Sequence, residues 1–177
     1  KDLSPVNLVD ALAGWQTANG QGIVGHPVDL VLMKLSDHHV LISTVDRGHA
    51  VIDRKKNYLG RWIYKYTPVE SVALITNGEV ASNFARHATV DPLGLLDHLQ
   101  PPMLEHYYDE KTWLNLTMHT DYPDGVVAFA RHMFWQENLR YREAEFAPDL
   151  VVTARKGWYF GIKESPGTMH GYPFPDS

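Results

Sequence analysis

Three short runs of branched apolar residues, at 28–35, 39–44 and 49–53, follow one another with only Ser36-Asp37-His38 and then Asp46-Arg47-Gly48 as polar breaks between them. Such residues favour extended backbone. A break this short can only return the chain antiparallel, because a parallel neighbour needs a crossover of roughly a dozen residues or more. An antiparallel meander is therefore predicted. A fourth run, Arg61-Trp62-Ile63-Tyr64-Lys65-Tyr66, alternates aromatic and basic side chains, as a strand with two unlike faces does, and Thr67-Pro68 is expected to stop it.

Helical patterns fill much of the rest. Ser4-Pro5 opens a helix over 5–17, with Leu8, Leu12 and Trp15 on one side and Asn19-Gly20-Gln21-Gly22 as its end. Asp91 is placed to cap a short helix that Pro101-Pro102 would break. Residues 109–118 should be helical, with Trp113, Leu116 and Thr117 on one side. Asp121-Tyr122-Pro123-Asp124 begins a stronger helix whose apolar face is Val126, Val127, Ala130, Met133 and Phe134. Near the end, Pro148-Asp149-Leu150-Val151-Val152-Thr153-Ala154 reads as a buried strand, and Lys156-Gly157-Trp158-Tyr159-Phe160 as a turn into another. The expected fold is α+β: an antiparallel-rich mixed sheet with helices on one face, in a single domain over 1–177.

Composition narrows the chemistry. The chain has no cysteine, which excludes disulfides, thiolate metal sites and a cysteine nucleophile. A net charge of -5 argues against a nucleic-acid surface. The longest basic run, Arg54-Lys55-Lys56, is read as a solvated turn rather than a phosphate grip. No apolar stretch is long enough to span a membrane, and no signal peptide is recognisable in the sequence. There is no G-x-S-x-G elbow, no P-loop and no G-x-G-x-x-G.

Ten histidines are more than usual, and one of them has a distinctive setting. His170 stands in Gly167-Thr168-Met169-His170-Gly171-Tyr172, just after the terminal strand pair. Glycines on that loop let the backbone bend so that the ring can be presented. The order P-D-L-V-V-T-A-x-x-G-W, a short loop, then G-T-x-H-G-Y resembles the closing part of the alkaline-phosphatase superfamily, most closely its type I phosphodiesterase and nucleotide-pyrophosphatase branch. The resemblance runs back along the chain. The hairpin from Val28 to Ile52 is similar to one found late in some bacterial members. It is followed in the same order by Tyr64-Lys65-Tyr66, Asp91-Pro92-Leu93-Gly94, Trp113-Leu114 with Thr117, and Tyr122-Pro123-Asp124.

The resemblance implies that His170 is a ligand of a zinc ion in a two-metal site. It implies an enzyme that cleaves a phosphate mono- or diester through a covalent phospho-enzyme. It also implies that this chain is the C-terminal portion, because the family's threonine or serine nucleophile, its early aspartate, its D-x-x-x-H pair and its S-D-H-G element all precede the matched region. Gly167, Thr168 and Gly171 would then shape the ligand's loop. Trp158, Tyr159 and Tyr172 would wall the substrate side or join the core.

Two elements imitate the missing ligands. Ser36-Asp37-His38-His39 is similar to S-D-H-G, but its fourth residue is histidine; Asp37 and His38 are either ligands or a solvated turn, and the hairpin accounts for the turn without a metal. Asp46-Arg47-Gly48-His49 is one residue shorter than D-x-x-x-H, and Arg47 would repel a cation, so a turn is expected, with Gly48 at positive φ. Three functional readings follow. The first is the C-terminal segment of a zinc-dependent phosphoric ester hydrolase, inactive alone, with a phosphate ester substrate in the intact parent. The second is a non-catalytic binding or protein-interaction domain. The third is a complete small metal protein using Asp37, His38 and His170. No nucleic acid or membrane partner is expected, and a segment cut from a larger sheet should expose apolar edges and self-associate.

Overall fold

The computed structural model describes residues 27–69, 90–134 and 148–156. Five strands form one sheet: β1 (Val28–Lys34), β2 (His39–Ser43), β3 (His49–Lys56), β4 (Trp62–Val69) and β5 (Leu150–Ala154). Their order is β4-β3-β2-β1-β5, and each of the four ladders between them is antiparallel. The fold class is α+β, an antiparallel-rich sheet with helices on one face.

The first two breaks are the tight turns that the pattern requires. At the β1–β2 turn the Leu35 amide donates to the His39 carbonyl at 3.0 Å, and the Ser36 Oγ accepts from the His38 amide at 3.2 Å. At the β2–β3 turn Gly48 adopts φ 72°, a region that favours glycine. The Thr44 Oγ1 accepts from the Arg47 amide there at 2.8 Å.

Two strands run further than expected. β3 continues through Arg54-Lys55-Lys56, and β4 continues through Thr67-Pro68 to Val69. Pro68 is tolerated because β4 is the last strand in the sheet order, so a missing N–H need not break a ladder on its outer side.

Alternate side chains sort onto two faces. Leu30, Leu32, Val40, Ile42, Ala50, Ile52, Tyr64 and Tyr66 face a shared core with the helices, while Val28, Val31, Leu41, Val51 and Val69 form a second buried cluster. Both faces of the central strands are thus buried, which is why those strands read as nearly continuous apolar runs. Each fully buried Val, Leu or Ile contributes about 1.5–3 kcal/mol by leaving water.

The helical side is built from a 3-10 turn (Leu95–Asp97) and three helices, α1 (Pro101–Leu104), α2 (Glu110–Thr117) and α3 (Gly125–Met133). Pro101-Pro102 opens α1 instead of only ending the preceding turn. Proline suits the first helical position, where the missing N–H would have no partner anyway. Asp109 caps α2, its carboxylate accepting from the Thr112 amide at 2.9 Å. Trp113 is fully buried and its Nε1 donates to the Tyr64 carbonyl at 2.9 Å, which fixes α2 to β4. The apolar face expected for α3 is buried throughout. The expected helix over 5–17 and the strand expected beyond Lys156 lie outside the described residues.

Candidate functional site

Where β3 and β4 turn over one another, a cavity of about 450 Å³ opens between the hairpin tip and the helices. Its floor is Arg54 from β3, Trp62 and Tyr64 from β4, and Phe134 just after α3. Its rim carries Arg61 beside the hairpin, Lys111 on the first turn of α2, and Arg131 near the end of α3.

Arg54 corrects the expectation that its basic run is a solvated turn. It is only 4% exposed. Its guanidinium lies 4.1 Å from the Trp62 ring centroid and 3.4 Å from that of Phe134, and it donates from Nε and Nη2 to the Asp37 carbonyl at 3.0 and 2.7 Å. A planar, weakly hydrated cation can be buried in this way where an ammonium could not.

The lining holds four cations, Arg54, Arg61, Lys111 and Arg131, against two carboxylates, Asp109 and Glu110. Both carboxylates are already engaged. Asp109 caps α2, and its carboxyl is held below its ordinary value by the Thr112 side chain first and the Thr112 amide second, with Lys111 and Arg61 adding to the shift. Glu110 receives Arg131 Nη1 at 2.6 Å. Arg61 and Lys111 make no ion pair among the described residues. The cavity is therefore electropositive in a chain that is acidic overall.

Asp124 opens α3 in the left-handed region at φ 57°. Its Oδ1 is buried and has no hydrogen-bond partner among the described residues. Burial pushes its carboxyl up, with Glu110 adding to the shift and Arg131 opposing it.

A second polar cluster ties distant parts of the chain. Asp29 accepts from the Tyr122 hydroxyl at 2.6 Å and from Arg47 Nη2 at 2.8 Å, and the same Nη2 donates to the Tyr122 oxygen at 2.9 Å. Burial raises the Asp29 carboxyl, and the Tyr122 bond and Arg47 only partly offset it. A third cluster closes the core: the Tyr66 hydroxyl and the Leu96 amide both donate to Asp91, each at 2.5 Å. The residue at the cap of the 3-10 turn is Gly94, not Asp91 as expected; Asp91 reaches the turn from three residues earlier through the Leu96 amide.

On the opposite face of the sheet Ser36, His39 and Asp53 stand in a row. Ser36 Oγ is 2.9 Å from His39 Nδ1, but His39 Nε2 is 3.6 Å from Asp53, beyond hydrogen-bond length. The Tyr107 hydroxyl donates to that same carboxyl group, and Ser36 is held within its turn. The row locks two strand ends and does not form an activated nucleophile.

Asp37 and His38 occupy an exposed turn, where Asp37 lies 3.5 Å from Lys34 Nζ. Asp46 pairs with Arg155 Nη2 at 2.8 Å, and His49 Nδ1 is 2.8 Å from Ser43 Oγ on a strand. His106, His119 and His132 are exposed and stand apart from other ligand-forming side chains. No group of three or more His, Asp or Glu side chains that could hold a metal occurs among the described residues. The described residues therefore do not compose a zinc site by themselves. His170, with Gly167, Thr168 and Gly171, lies outside the described residues, as do Trp158, Tyr159 and Tyr172.

Comparison of the chain with protein-family models, with curated proteins and with solved structures finds no match in any of the three. The electropositive cavity itself had one sequence signal, the aromatic-basic alternation at 61–66. Its other parts come from three separated segments, and no local pattern announced that they would meet.

Proposed function

We propose that this chain is the C-terminal part of a zinc-dependent phosphoric ester hydrolase. The single observation that carries the reading is the ordered pair of elements at its end, the strand motif at 148–154 followed by the glycine-flanked His170. The described structure is compatible with it in one respect. The first element is a strand, β5, paired with β1, and its end is tethered: the Arg155 amide donates to the Pro27 carbonyl at 2.9 Å, and Arg155 Nε to the Val28 carbonyl at 3.1 Å. A ligand-bearing segment that leaves a fixed strand end starts from a defined point, as metal geometry demands.

In this reading His170 supplies one zinc ligand and the remaining ligands and the nucleophile come from the longer gene product. The metal would lower the nucleophile's pKa and polarise the phosphoryl oxygen. The test is an assay of the longer product, stripped of metal and reloaded with zinc, on an aryl phosphate and an aryl phosphodiester. Zinc-dependent turnover that His170→Ala abolishes is expected, with none from the 177-residue chain alone. A longer product without zinc-dependent turnover, or one that keeps its rate in the His170→Ala variant, would overturn the reading.

A further inference from the structure

We propose that the cavity between the β3–β4 hairpin and α2 is a binding site for a phosphate monoester of a ring-bearing alcohol, and that it works without zinc. The site goes beyond the hydrolase reading, since none of its residues belongs to the terminal element.

Charge and shape each point to this ligand. Arg61 and Lys111 approach from different banks, one beside the hairpin and one on the first turn of α2, and both are exposed. The carboxylates beside them are committed to a helix cap and to Arg131. Neither Arg61 nor Lys111 makes an ion pair among the described residues, and the cavity's four cations outnumber its two carboxylates; that excess of positive charge across a cleft matches a dianion, and a phosphomonoester presents three oxygens to such donors. Arg131 is held by an ion pair in which both side chains are more than half exposed, so an incoming phosphoryl group can compete for it.

The walls offer more than a bare anion would use. A volume of about 450 Å³ lies in the range of small-molecule pockets and is much larger than an inorganic phosphate needs. The partly exposed Trp62, with the edges of the buried Tyr64 and Phe134, gives the cavity an aromatic wall against which an organic ring can leave water. The buried Arg54, stacked between Trp62 and Phe134, fixes that floor in place and adds positive potential beneath it.

The probe is phenyl phosphate, titrated calorimetrically into the 177-residue chain with a metal chelator present. Inorganic phosphate and phenol serve as separate arms. Saturable binding of phenyl phosphate is expected, tighter than either arm and weakened by added salt. Replacing both rim cations, Arg61→Ala with Lys111→Ala, should weaken it by about tenfold or more, since each removes a charge-assisted contact. Both positions are exposed, so the unfolding temperature should not move. His170→Ala should bind as the parent chain does. The proposal is overturned by an absence of saturable binding, by equal affinity in the double variant, or by inorganic phosphate binding as tightly as phenyl phosphate. Loss of binding in the His170→Ala variant would also overturn it, because the ligand would then sit at the terminal element. A failed zinc assay on the longer product leaves each of these outcomes readable.

Discussion

At Gly48 and Gly60 the backbone takes almost the same positive φ, 72° and 73°, yet the two sites differ in what surrounds them. A Cβ on Gly48 would stand 2.8 Å from Val90 Cγ1, whereas one on Gly60 would meet nothing within 4 Å. The pair separates backbone strain from steric contact. Gly60→Ala should cost only the left-handed strain, about 1–2 kcal/mol. Gly48→Ala adds a displaced Val90, and Gly48→Val, being β-branched, should reach the upper end of roughly 1–3 kcal/mol for a strained position or exceed it. Urea unfolding of the three variants is the measurement. Equal costs for the two alanine variants would mean that Val90 yields freely and that φ alone decides. Gly48 is also the position where a D-x-x-x-H imitation was read as a turn, and the turn is what the backbone forms.

Element boundaries carry the next lesson. β1 holds one residue more than β5 between their matched pairs, Val28 with Ala154 and Val31 with Val152. This bulge puts Val28 in the second cluster while Leu30 joins the helical core. The cost is a ladder hydrogen bond, and the side chain of Thr153 replaces it by accepting from the Leu30 amide at 3.0 Å. Leu30 is fully buried, so its N–H has no water to turn to. Thr153→Val keeps the shape and removes the acceptor, and should destabilise the fold by about 1–3 kcal/mol. Thr153→Ser keeps the oxygen and should recover most of the loss. If Val and Ser variants melt together, the hydroxyl is not what satisfies that amide. The strands themselves were legible because apolar runs and turn residues are local signals. The bulge was not, because an extra residue is defined only against a partner more than a hundred positions away. The cavity was hidden for the same reason: Arg54 looks like part of a soluble basic run until Phe134 and Trp62 are brought to either side of it. The extension of β4 through Pro68 depended on its being the outermost strand, which is likewise a property of the sheet.

Across the whole molecule, one small network joins the most distant segments. Asp29 lies on β1, Arg47 in the β2–β3 turn and Tyr122 just before α3, while Asp46 beside them holds Arg155 at the end of β5. Two of these ion pairs look alike on paper, each at 2.8 Å, but they differ in burial. The Asp29 side chain is 7% exposed, whereas Asp46 is 54% exposed. Removing Asp29 takes the acceptor from the buried Tyr122 hydroxyl and leaves Arg47, 30% exposed, to Asp46 at 3.8 Å and the Tyr122 oxygen, while an exposed pair is screened by water. Asp29→Ala should therefore cost about 1–3 kcal/mol, and Asp46→Ala less than about 1 kcal/mol. Asp29→Asn is the informative intermediate, since it keeps the size and an acceptor but cannot ionise. The Asp29 carboxyl is raised above its ordinary 3.8 by burial. A carboxyl raised in the folded state binds its proton more tightly there than in the unfolded chain. Its contribution is therefore full at low pH and is given up as pH rises from that ordinary value through the folded one. Asparagine has no such loss. The stability difference between Asp29→Asn and the parent chain should thus shift in the variant's favour between about pH 4 and about pH 7. Denaturant titrations at both pH values read this directly. A difference that moves the other way would show that Arg47 and Tyr122 hold the carboxylate more strongly than burial opposes it, and that the network stabilises the charge it encloses.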